Sequence, residues 1–307
     1  MADIDARVDE LRALAAKNES SVLDEEVTKL EAKSAKTLAD LYAALTPWQK
    51  TLVARFQGRP HFADYIKGLI TEFTPLAGDR KFGEDAAIVG GLGRFRGAPV
   101  CVIGHEKGED TATRLKHNFG MARPEGYRKA VRLMELASKF DLPVITLVDT
   151  AGAWPGIDAE ERGQAEAIAR ATDAGLALET PSIAVIVGEG GSGGALAIAS
   201  CSKVLMLEHS IYTVASPEAA ASILWRDSSR AQDAAISMKI TAQDLLRFGI
   251  IDGIIPEPLG GAHRDPEAAV AAVGKAVGAA LDSMAGLSRQ ELREARANKF
   301  LSIGRKL

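Results

Sequence analysis

The chain has 307 residues, of which 47% are hydrophobic and 25% are charged, and its formal net charge is -4. This composition is typical of a globular protein with one sizeable core, and it excludes a largely disordered chain. The slight acidic excess gives no overall basic field for nucleic acid, so we expect no nucleic-acid partner.

The N-terminal residues and the cysteines bear on the cellular compartment. No run of about 18 apolar residues is present, so we expect no membrane span. The first residues include Asp3 and Asp5, whereas a signal peptide begins with basic residues. Cys101 and Cys201, the only cysteines, lie in apolar, strand-like settings that favour reduced core thiols over a disulfide or a zinc site. We therefore expect a cytoplasmic protein that binds no metal through this chain.

The first part of the chain, from Ile4 to about Phe73, has the pattern of amphipathic helices, with apolar residues recurring between Glu and Lys. Gly and Pro residues then interrupt this pattern and predict a domain boundary near Gly78. We expect three segments: helices for packing or subunit contact at 1–78, a core at 79–265, and C-terminal helices at 266–307.

Beyond this boundary, apolar strand-like runs alternate with helical patterns. The predicted strands are 86–92, 99–104, 143–149, 183–188, 203–207 and 250–255. The predicted helices between them are 126–140, 159–178, 194–199, 217–225 and 242–248. Nearly continuous apolar strands separated by helices predict a mainly parallel sheet that is buried on both faces.

A dense glycine run, Gly188 to Gly194, follows one of these strands and precedes a helix of small residues. Clustered glycines allow backbone N–H groups to point at one spot, and the helix N-terminus adds partial positive charge. We expect a cradle for an anion or an oxyanion. The run also fits a dinucleotide-binding pattern, in which Glu208 would hydrogen-bond the ribose of the cofactor. Alternatively, the glycines allow a helix to pack closely on a sheet, which requires no ligand.

The same run contains a G-x-S-x-G pattern centred on Ser192. In a serine hydrolase this serine would be the nucleophile, and His209 or His263 with Asp252 would complete the triad. That alternative requires a strained serine and an aligned histidine.

A third interpretation makes Gly193 and Gly194 an oxyanion hole that stabilises a developing negative oxygen without a nucleophile. A second small-residue turn, 150–156, follows the strand that ends at Asp149. Ligands collect at the carboxyl ends of parallel strands, so we expect the two turns to face one pocket. Asp149 is a possible base, but capping of its own turn is the favoured interpretation.

Further sequence blocks occur in order along the chain, namely Ala87-Ile-Val-Gly-Gly91, Asn118-Phe-Gly120, Pro124-Glu-Gly-Tyr-Arg-Lys-Ala130, Ala159-Glu-Glu-Arg-Gly-Gln164, Gly188-Glu-Gly-Gly-Ser-Gly-Gly-Ala-Leu196, Ser216-Pro-Glu218 and Ile255-Pro-Glu-Pro-Leu-Gly-Gly-Ala-His263. Together they resemble the carboxyltransferase alpha subunit of multi-subunit acetyl-CoA carboxylase. The likeness extends over nearly the whole chain and weakens only in about the first twenty residues and after about Ala285.

This resemblance implies an α/β fold, the crotonase-like (ClpP/crotonase) ββα superhelix, with an N-terminal helical segment. It implies transfer of a carboxyl group from carboxybiotin to acetyl-CoA, which gives malonyl-CoA for fatty acid synthesis. The implied partners are a beta subunit, in an α2β2 assembly, a biotin carboxyl carrier protein and a biotin carboxylase. The carboxybiotin would be attached to the carrier protein, ATP would be used only by the biotin carboxylase, and zinc would lie on the beta subunit.

The family's glycine pair falls on Gly193 and Gly194, and the resemblance assigns their amides to the biotin ureido oxygen. Neighbouring residues are expected to contact biotin or substrate: Gly152, Ala153, Gly190, Gly191 and Ala195. The family's Pro-Gly-Ala-Tyr-Pro-Gly turn is Ala151-Gly-Ala-Trp-Pro-Gly156 here, so no hydroxyl is present at position 154. Under this scheme Ser192 is a spacer, and Glu189 is expected to point away from the amides.

Overall fold

The apolar segments form one mixed sheet in the computed structural model, which describes residues 21–305. The strands are β1 (Ile70–Pro75), β2 (Ile88–Phe95), β3 (Ala98–His105), β4 (Val144–Thr150), β5 (Ser182–Gly191), β6 (Lys203–Leu207), β7 (Ile211–Thr213) and β8 (Gly253–Ile255). Their order is β1-β2-β3-β4-β5-β6-β8, and the short β7 pairs with the end of β5.

The sheet is parallel from β3 to β8, as the sequence predicts, but its first two pairings, β1 with β2 and β2 with β3, are antiparallel. Every residue of β4 and β5 is buried, which accounts for their continuous apolar sequence. The sequence pattern does not predict β7, because three residues are too few to show a period. The predicted strand 250–255 is shortened to β8, because the N–H groups of Ile250 and Ile251 donate to the Leu245 carbonyl oxygen of the preceding helix and not to a neighbouring strand.

Helices fill the connections, and their boundaries largely follow the predicted pattern. They are α1 (Ser21–Ala43), α2 (Pro47–Ala54), α3 (Phe62–Leu69), α4 (Thr111–Lys116), α5 (Pro124–Lys139), α6 (Ile157–Glu161), α7 (Gln164–Ala177), α8 (Ser192–Ala199), α9 (Pro217–Trp225), α10 (Ala231–Met238), α11 (Ala242–Arg247), α12 (Pro266–Asp282) and α13 (Arg289–Ser302). The predicted helix 159–178 is two helices, α6 and α7, because Gly163 takes a left-handed conformation with φ of 79° between them.

The N-terminal segment is mostly helical, as predicted. At the start of α2 the Thr46 hydroxyl accepts the N–H of Gln49, and the Gln49 side chain accepts the N–H of Thr46, which fixes the beginning of the helix. The prediction of helix as far as Phe73 is wrong at its end, because β1 begins at Ile70. This stretch is rich in β-branched and aromatic residues, and pairing with β2 favours the strand. The first twenty residues of the predicted segment lie outside the described residues.

Both faces of the sheet are covered. On one face, Leu133 of α5 and Ile198 of α8 form a core with Ile186 of β5. On the other, Tyr65 of α3 and Val273 of α12 belong to a second core, with strand residues of the opposite face. Elements of the N-terminal and C-terminal segments thus contribute to the sheet and its cover, and the division at 78 and 265 stays a prediction. Within residues 21–305, no helix is long and apolar enough to cross a membrane.

Candidate functional site

The first part of the site is the start of α8. β5 ends at Gly191, and the next residue, Ser192, begins the helix with a positive φ of 53°. No side chain caps this helix start. The N–H groups in the first turn of a helix have no partner within the helix. Of the two glycines that follow Ser192, Gly193 is half-buried and Gly194 is buried.

The second part is the turn that follows β4. The Thr150 hydroxyl accepts the N–H of Gly152 at 3.1 Å and donates to the Gly152 carbonyl oxygen at 2.7 Å, which fixes the backbone of the turn. The indole N–H of Trp154 donates to Asp158 Oδ1 at 3.0 Å. The Trp154 side chain therefore connects the turn to the start of α6 through its indole N–H. The tyrosine hydroxyl of the family's turn is not needed for this contact.

The two turns lie directly against each other, as expected for strand ends in one parallel sheet. A Cβ at Gly191 would overlap the carbonyl oxygen of Ala151, and a Cβ at Gly194 would lie 2.6 Å from the nitrogen of Ala153. Only glycine fits at both positions. The expected site residues Gly152, Ala153, Gly191 and Gly194 are thus brought together.

The other expected site residues have different surroundings. A Cβ at Gly190 would lie 2.8 Å from the Tyr212 ring, and one at Gly193 would meet only the Ile168 side chain, at 3.2 Å. Ala195 is fully buried in the core under α8, so its methyl group has no surface that a ligand could touch.

A buried tyrosine and a buried histidine contribute polar groups near these turns, and sequence reasoning missed both. The Tyr127 hydroxyl would lie 3.0 Å from a Cβ at Gly194, and no hydrogen bond satisfies it. Burial raises the pKa of this hydroxyl above its usual value, so it stays protonated. His105 at the end of β3 is fully buried, and burial lowers its pKa to about 4 although Asp149 and the Gly194 backbone act in the opposite direction. The imidazole is therefore neutral at physiological pH.

A cluster of charged side chains lies at the carboxyl ends of β3, β4 and β5. The Lys107 ammonium is 2.7 Å from Asp149 Oδ1 and 3.1 Å from Glu189 Oε2. Arg55, just after α2, donates to Glu189 Oε1 at 2.6 Å and also pairs with Glu218 of α9. The sequence does not predict this cluster, because its members are far apart in the chain.

The hydrogen bonding of the Asp149 carboxylate differs from the expected capping of its own turn. Its carboxylate does not cap its own turn but accepts the backbone N–H of Glu189 on the neighbouring strand, at 2.9 Å. Burial alone would raise the pKa of Asp149, but the Lys107 ammonium and this N–H hold the pKa below its usual value. In turn, the two carboxylates outweigh burial and raise the pKa of Lys107. Asp149 is thus a tightly paired anion, which makes it a poor proton acceptor.

Two cavities open beside the site, one on each side of the β5 end. An apolar groove of about 610 Å³ is lined by Ser192, Gly193, Leu196 and Tyr212, with Phe300 from α13. A smaller cavity of about 240 Å³ is lined by residues of the charged cluster, together with Arg59, His61, Arg114 and Phe119. Gly193 therefore borders an apolar groove, while the charged cluster has a cavity of its own.

The structure does not assemble the triad of the serine hydrolase alternative. Ser192 is exposed and has the strained φ that such a nucleophile would need, but no hydrogen bond joins it to a histidine among the described residues. The His209 ring packs edge-on against Tyr42, and its backbone N–H donates to Glu257. The His263 ring lies against Phe56.

Asp252, the remaining member of that triad, also has other partners. Asp252 accepts the N–H of Val204 at 2.7 Å and pairs with Lys299. For the dinucleotide alternative, Glu208 is placed at the end of β6, where its carboxylate accepts the Glu257 N–H at 3.4 Å. These side chains stabilise the connections around β6 and β8.

Solved structures of known proteins share this arrangement of strands and helices. One is transcarboxylase 12S with hydrolysed methylmalonyl-coenzyme A bound, with a TM-score of 0.60 and 18% identity over 76% of this chain. The chain spans only 44% of the length of that solved chain. Another is a Pseudomonas malonate decarboxylase hetero-tetramer in complex with coenzyme A, with a TM-score of 0.58 and 20% identity over 72% of this chain and 89% of the other. The fold is the crotonase type found in carboxyltransferases, which confirms the predicted fold class.

Sequence comparison is more specific. The chain is 67% identical, over all 307 residues and 97% of the relative, to an acetyl-coenzyme A carboxylase carboxyl transferase subunit alpha of Methylobacterium nodulans. It is also 67% identical, with the same coverage, to the subunit of that name from Beijerinckia indica subsp. indica. The model of the family described as acetyl co-enzyme A carboxylase carboxyltransferase-like matches residues 1–304, and the chain belongs to this family.

The family membership confirms the expected function, a carboxyltransferase subunit of acetyl-CoA carboxylase acting in fatty acid synthesis. None of these relatives supports a serine hydrolase. The chain is therefore part of an enzyme of the transferase class.

Proposed function

We propose that the N–H groups of Gly193 and Gly194 bind the ureido oxygen of carboxybiotin while its carboxyl group passes to acetyl-CoA. The observation that carries this proposal is the uncapped start of α8, which lies against the turn 151–153 at a distance that only glycine allows. When bound, carboxybiotin supplies the carboxyl group that is transferred. The chain supplies backbone donors that are already fixed in place, so they need no reorganisation during the reaction.

The residues around the amides fit a flat, neutral ring system with one polar oxygen. The adjoining groove is apolar, with Leu196 and Tyr212 beside Gly193, and it can accept the hydrophobic part of such a ligand. Neighbouring residues Gly152, Ala153, Gly190 and Gly191 shape the approach to the amides. Ala195 contributes through the helix backbone, since its side chain is buried.

Neither of the two residues that the sequence offers as a base or a nucleophile, Asp149 and Ser192, is suited to that role. Asp149 is held in ion pairs with its pKa lowered, and Ser192 has no histidine partner. We infer that this chain contributes electrostatic stabilisation and positioning. A fixed donor of this kind is typically worth about 3–4 kcal/mol, which corresponds to a hundred- to a thousandfold in rate.

The test is a valine at Gly193 in the complex with its partner subunit. Gly193→Val places a branched side chain at the ligand position, while the only neighbour of the new Cβ is the Ile168 side chain, so the helix can remain folded. We expect biocytin carboxylation with malonyl-CoA to fall at least roughly a hundredfold. Ser192→Ala, at the adjacent position, is the matched control and should keep most of the activity. Full turnover by Gly193→Val in an intact complex would contradict the proposal.

We further propose that a beta subunit completes the site, in an α2β2 assembly that works with a biotin carboxyl carrier protein and a biotin carboxylase. Two facts support this: the relatives are named as subunit alpha, and the malonate decarboxylase of similar fold is a hetero-tetramer. We place ATP use on the biotin carboxylase and zinc on the beta subunit. The helical segment 1–78 would provide packing or subunit contact, and the segments 79–265 and 266–307 would form the core and its C-terminal cover. A cytoplasmic location agrees with the two free, buried cysteines.

Partner dependence can be measured directly. The purified chain should show no malonyl-CoA-dependent carboxylation of biocytin, and activity should appear when the beta subunit is added. Light scattering of the mixture should give the mass of two copies of each chain. Strong activity of the purified chain alone, or a stable one-to-one complex at micromolar concentration, would count against this part of the proposal.

A further inference from the structure

The end of β5 leaves the regular register of the sheet just before the glycine amides. Val148 of β4 pairs with Ile186, but Thr150, only two residues later, pairs with Gly190. The β5 residues 187–189 therefore lie opposite a single β4 residue, Asp149. Bulges of this kind redirect the chain that follows them, and here the chain that follows is the start of α8.

Asp149 restores the connection that this bulge interrupts. Its carboxylate takes the place of a strand carbonyl and accepts the Glu189 N–H at 2.9 Å. Gly188 permits this approach, because a Cβ there would overlap the carboxylate. Asp149 also lies two residues before Ala151, whose carbonyl contacts Gly191. One buried residue thus fixes both turns of the site.

A cation is needed to keep this arrangement together. The side chains of Asp149 and Glu189 are only 7% and 10% exposed, and both lie against the Lys107 ammonium, which is 12% exposed. Without the Lys107 ammonium the two buried carboxylates repel each other, although Glu189 keeps its ion pair with Arg55. Other charged or titratable groups near the pair are Arg55, Arg59, His61, Tyr65, His105 and Arg114.

We propose that Lys107 is a positioning residue for carboxyl transfer, which holds Asp149 and Glu189 together and so sets the distance between the turn 151–153 and the amides of Gly193 and Gly194. The proposal rests on the function proposed above for these amides. Lys107 acts through the two carboxylates and the bulge. A small misplacement of a fixed donor group is enough to lower the rate about a hundredfold, so the effect should be measurable in turnover.

The experiment compares Lys107→Met with Lys107→Arg in the assembled complex with the beta subunit. Lys107→Met should lower kcat roughly ten- to a hundredfold and leave KM for malonyl-CoA nearly unchanged, and Lys107→Arg should recover much of the loss. The matched control is Lys116→Met, which removes an exposed lysine at the end of α4 and should have no effect.

The pH profile separates positioning from a general structural role. In Lys107→Met, protonation of Asp149 at low pH removes the repulsion between the two side chains, and the repulsion returns as pH rises. The ratio of the kcat of Lys107→Met to the kcat of wild type, measured at each pH, should therefore fall as pH rises. The double variant Lys107→Met/Glu189→Gln removes the negative charge of Glu189 together with the positive charge of Lys107. It should regain activity and lose this pH dependence.

The outcomes are distinct. Wild-type kcat and pH profile in an intact Lys107→Met complex would overturn the positioning role. If Lys107→Met fails to assemble, the double variant alone decides: an assembled double variant with a kcat at least roughly tenfold below wild type, falling further as pH rises, would overturn the positioning role as well. Gly193→Val, measured alongside, tests the amides themselves: an active Gly193→Val would refute the proposed function even if the Lys107 variants are impaired.

Discussion

Gly194 of α8 lies directly against the backbone of Ala153, since a Cβ on Gly194 would stand 2.6 Å from the Ala153 nitrogen. Gly193, one residue earlier, faces only the Ile168 side chain, with a Cβ distance of 3.2 Å. The two glycines of the pair therefore differ in what surrounds them: one is fixed against main chain, and the other has a movable neighbour. Packing therefore requires glycine at position 194, whereas a requirement for glycine at position 193 would come from function.

The first prediction compares alanine at the two positions. Gly194→Ala must push the turn 151–153 away, so we expect loss of turnover together with a lower Tm. Gly193→Ala displaces only a side-chain methyl and should change Tm little, with a smaller loss of turnover. Differential scanning fluorimetry and biocytin carboxylation of the reconstituted complex provide the two readouts. Equal Tm values for the two variants would show that the turns do not touch in solution.

The second prediction concerns Ser192, whose positive φ of 53° is unfavourable for a residue with a Cβ. Ser192→Gly can adopt this conformation freely, so we expect a Tm that is equal to or above that of wild type. Ser192→Ala keeps the strain and lacks the hydroxyl, yet should retain kcat within roughly threefold, because the hydroxyl has no part in the reaction. A fluorophosphonate probe should not label wild type at Ser192. Labelling that disappears in Ser192→Ala would revive the hydrolase alternative.

Much of the fold follows from local sequence. The continuous apolar runs of β4 and β5 predict buried parallel strands, and the Ser216-Pro217 pair predicts the start of α9, where the Ser216 hydroxyl caps the helix. The position of the glycine run between strand and helix is equally local. The contact between the two turns is also expected, because parallel strands bring their carboxyl ends to one edge of the sheet.

The charged cluster, in contrast, depends on the tertiary arrangement. Lys107, Asp149 and Glu189 meet only because the register shifts between β4 and β5, and no local pattern encodes that shift. Arg55 joins them from a segment that the sequence assigns to helix packing. The identity of β1 is missed for a related reason, since its pairing with β2 outweighs the helical pattern that precedes it.

The third prediction concerns a buried ion pair between the N-terminal segment and the core. Arg59 donates to Glu257 at 2.7 and 2.9 Å, and the two side chains are only 3% and 0% exposed. Arg59→Met leaves a buried carboxylate without its cation, which typically costs about 3–5 kcal/mol. We expect a large fall in Tm, with partial recovery in Arg59→Met/Glu257→Gln.

The exposed pair between Arg94 and Glu72 provides the control for this experiment, because its side chains are 45% and 72% exposed. Arg94→Met should change the free energy of unfolding very little, since solvent screens such pairs. A similar, small effect of Arg59→Met in urea unfolding would mean that the loop containing Arg59 is not an integral part of the folded core.

The fourth prediction is a pH dependence of stability that originates at His105. Burial lowers its folded-state pKa from 6.5 to about 4, so between these two values the unfolded chain binds the proton and the folded protein does not. Stability is therefore lost as pH falls from about 6.5 toward 4, and it is retained above that window. From these two pKa values, the contribution lost between pH 7 and pH 5 is about 2 kcal/mol.

His105→Leu removes this proton-binding site. We expect the variant to be at least as stable as wild type at pH 7, because a buried polar group is replaced by an apolar one. Between pH 7 and pH 5 its free energy of unfolding, measured in urea, should fall by about 2 kcal/mol less than that of wild type. His117→Gln, at a half-buried histidine whose Nδ1 lies 2.6 Å from the Ala86 carbonyl oxygen, controls for the loss of a histidine elsewhere. If wild type and His105→Leu lose stability equally over this range, the imidazole is protonated, or reaches water, in the folded protein, and the buried position described for it at the end of β3 is wrong.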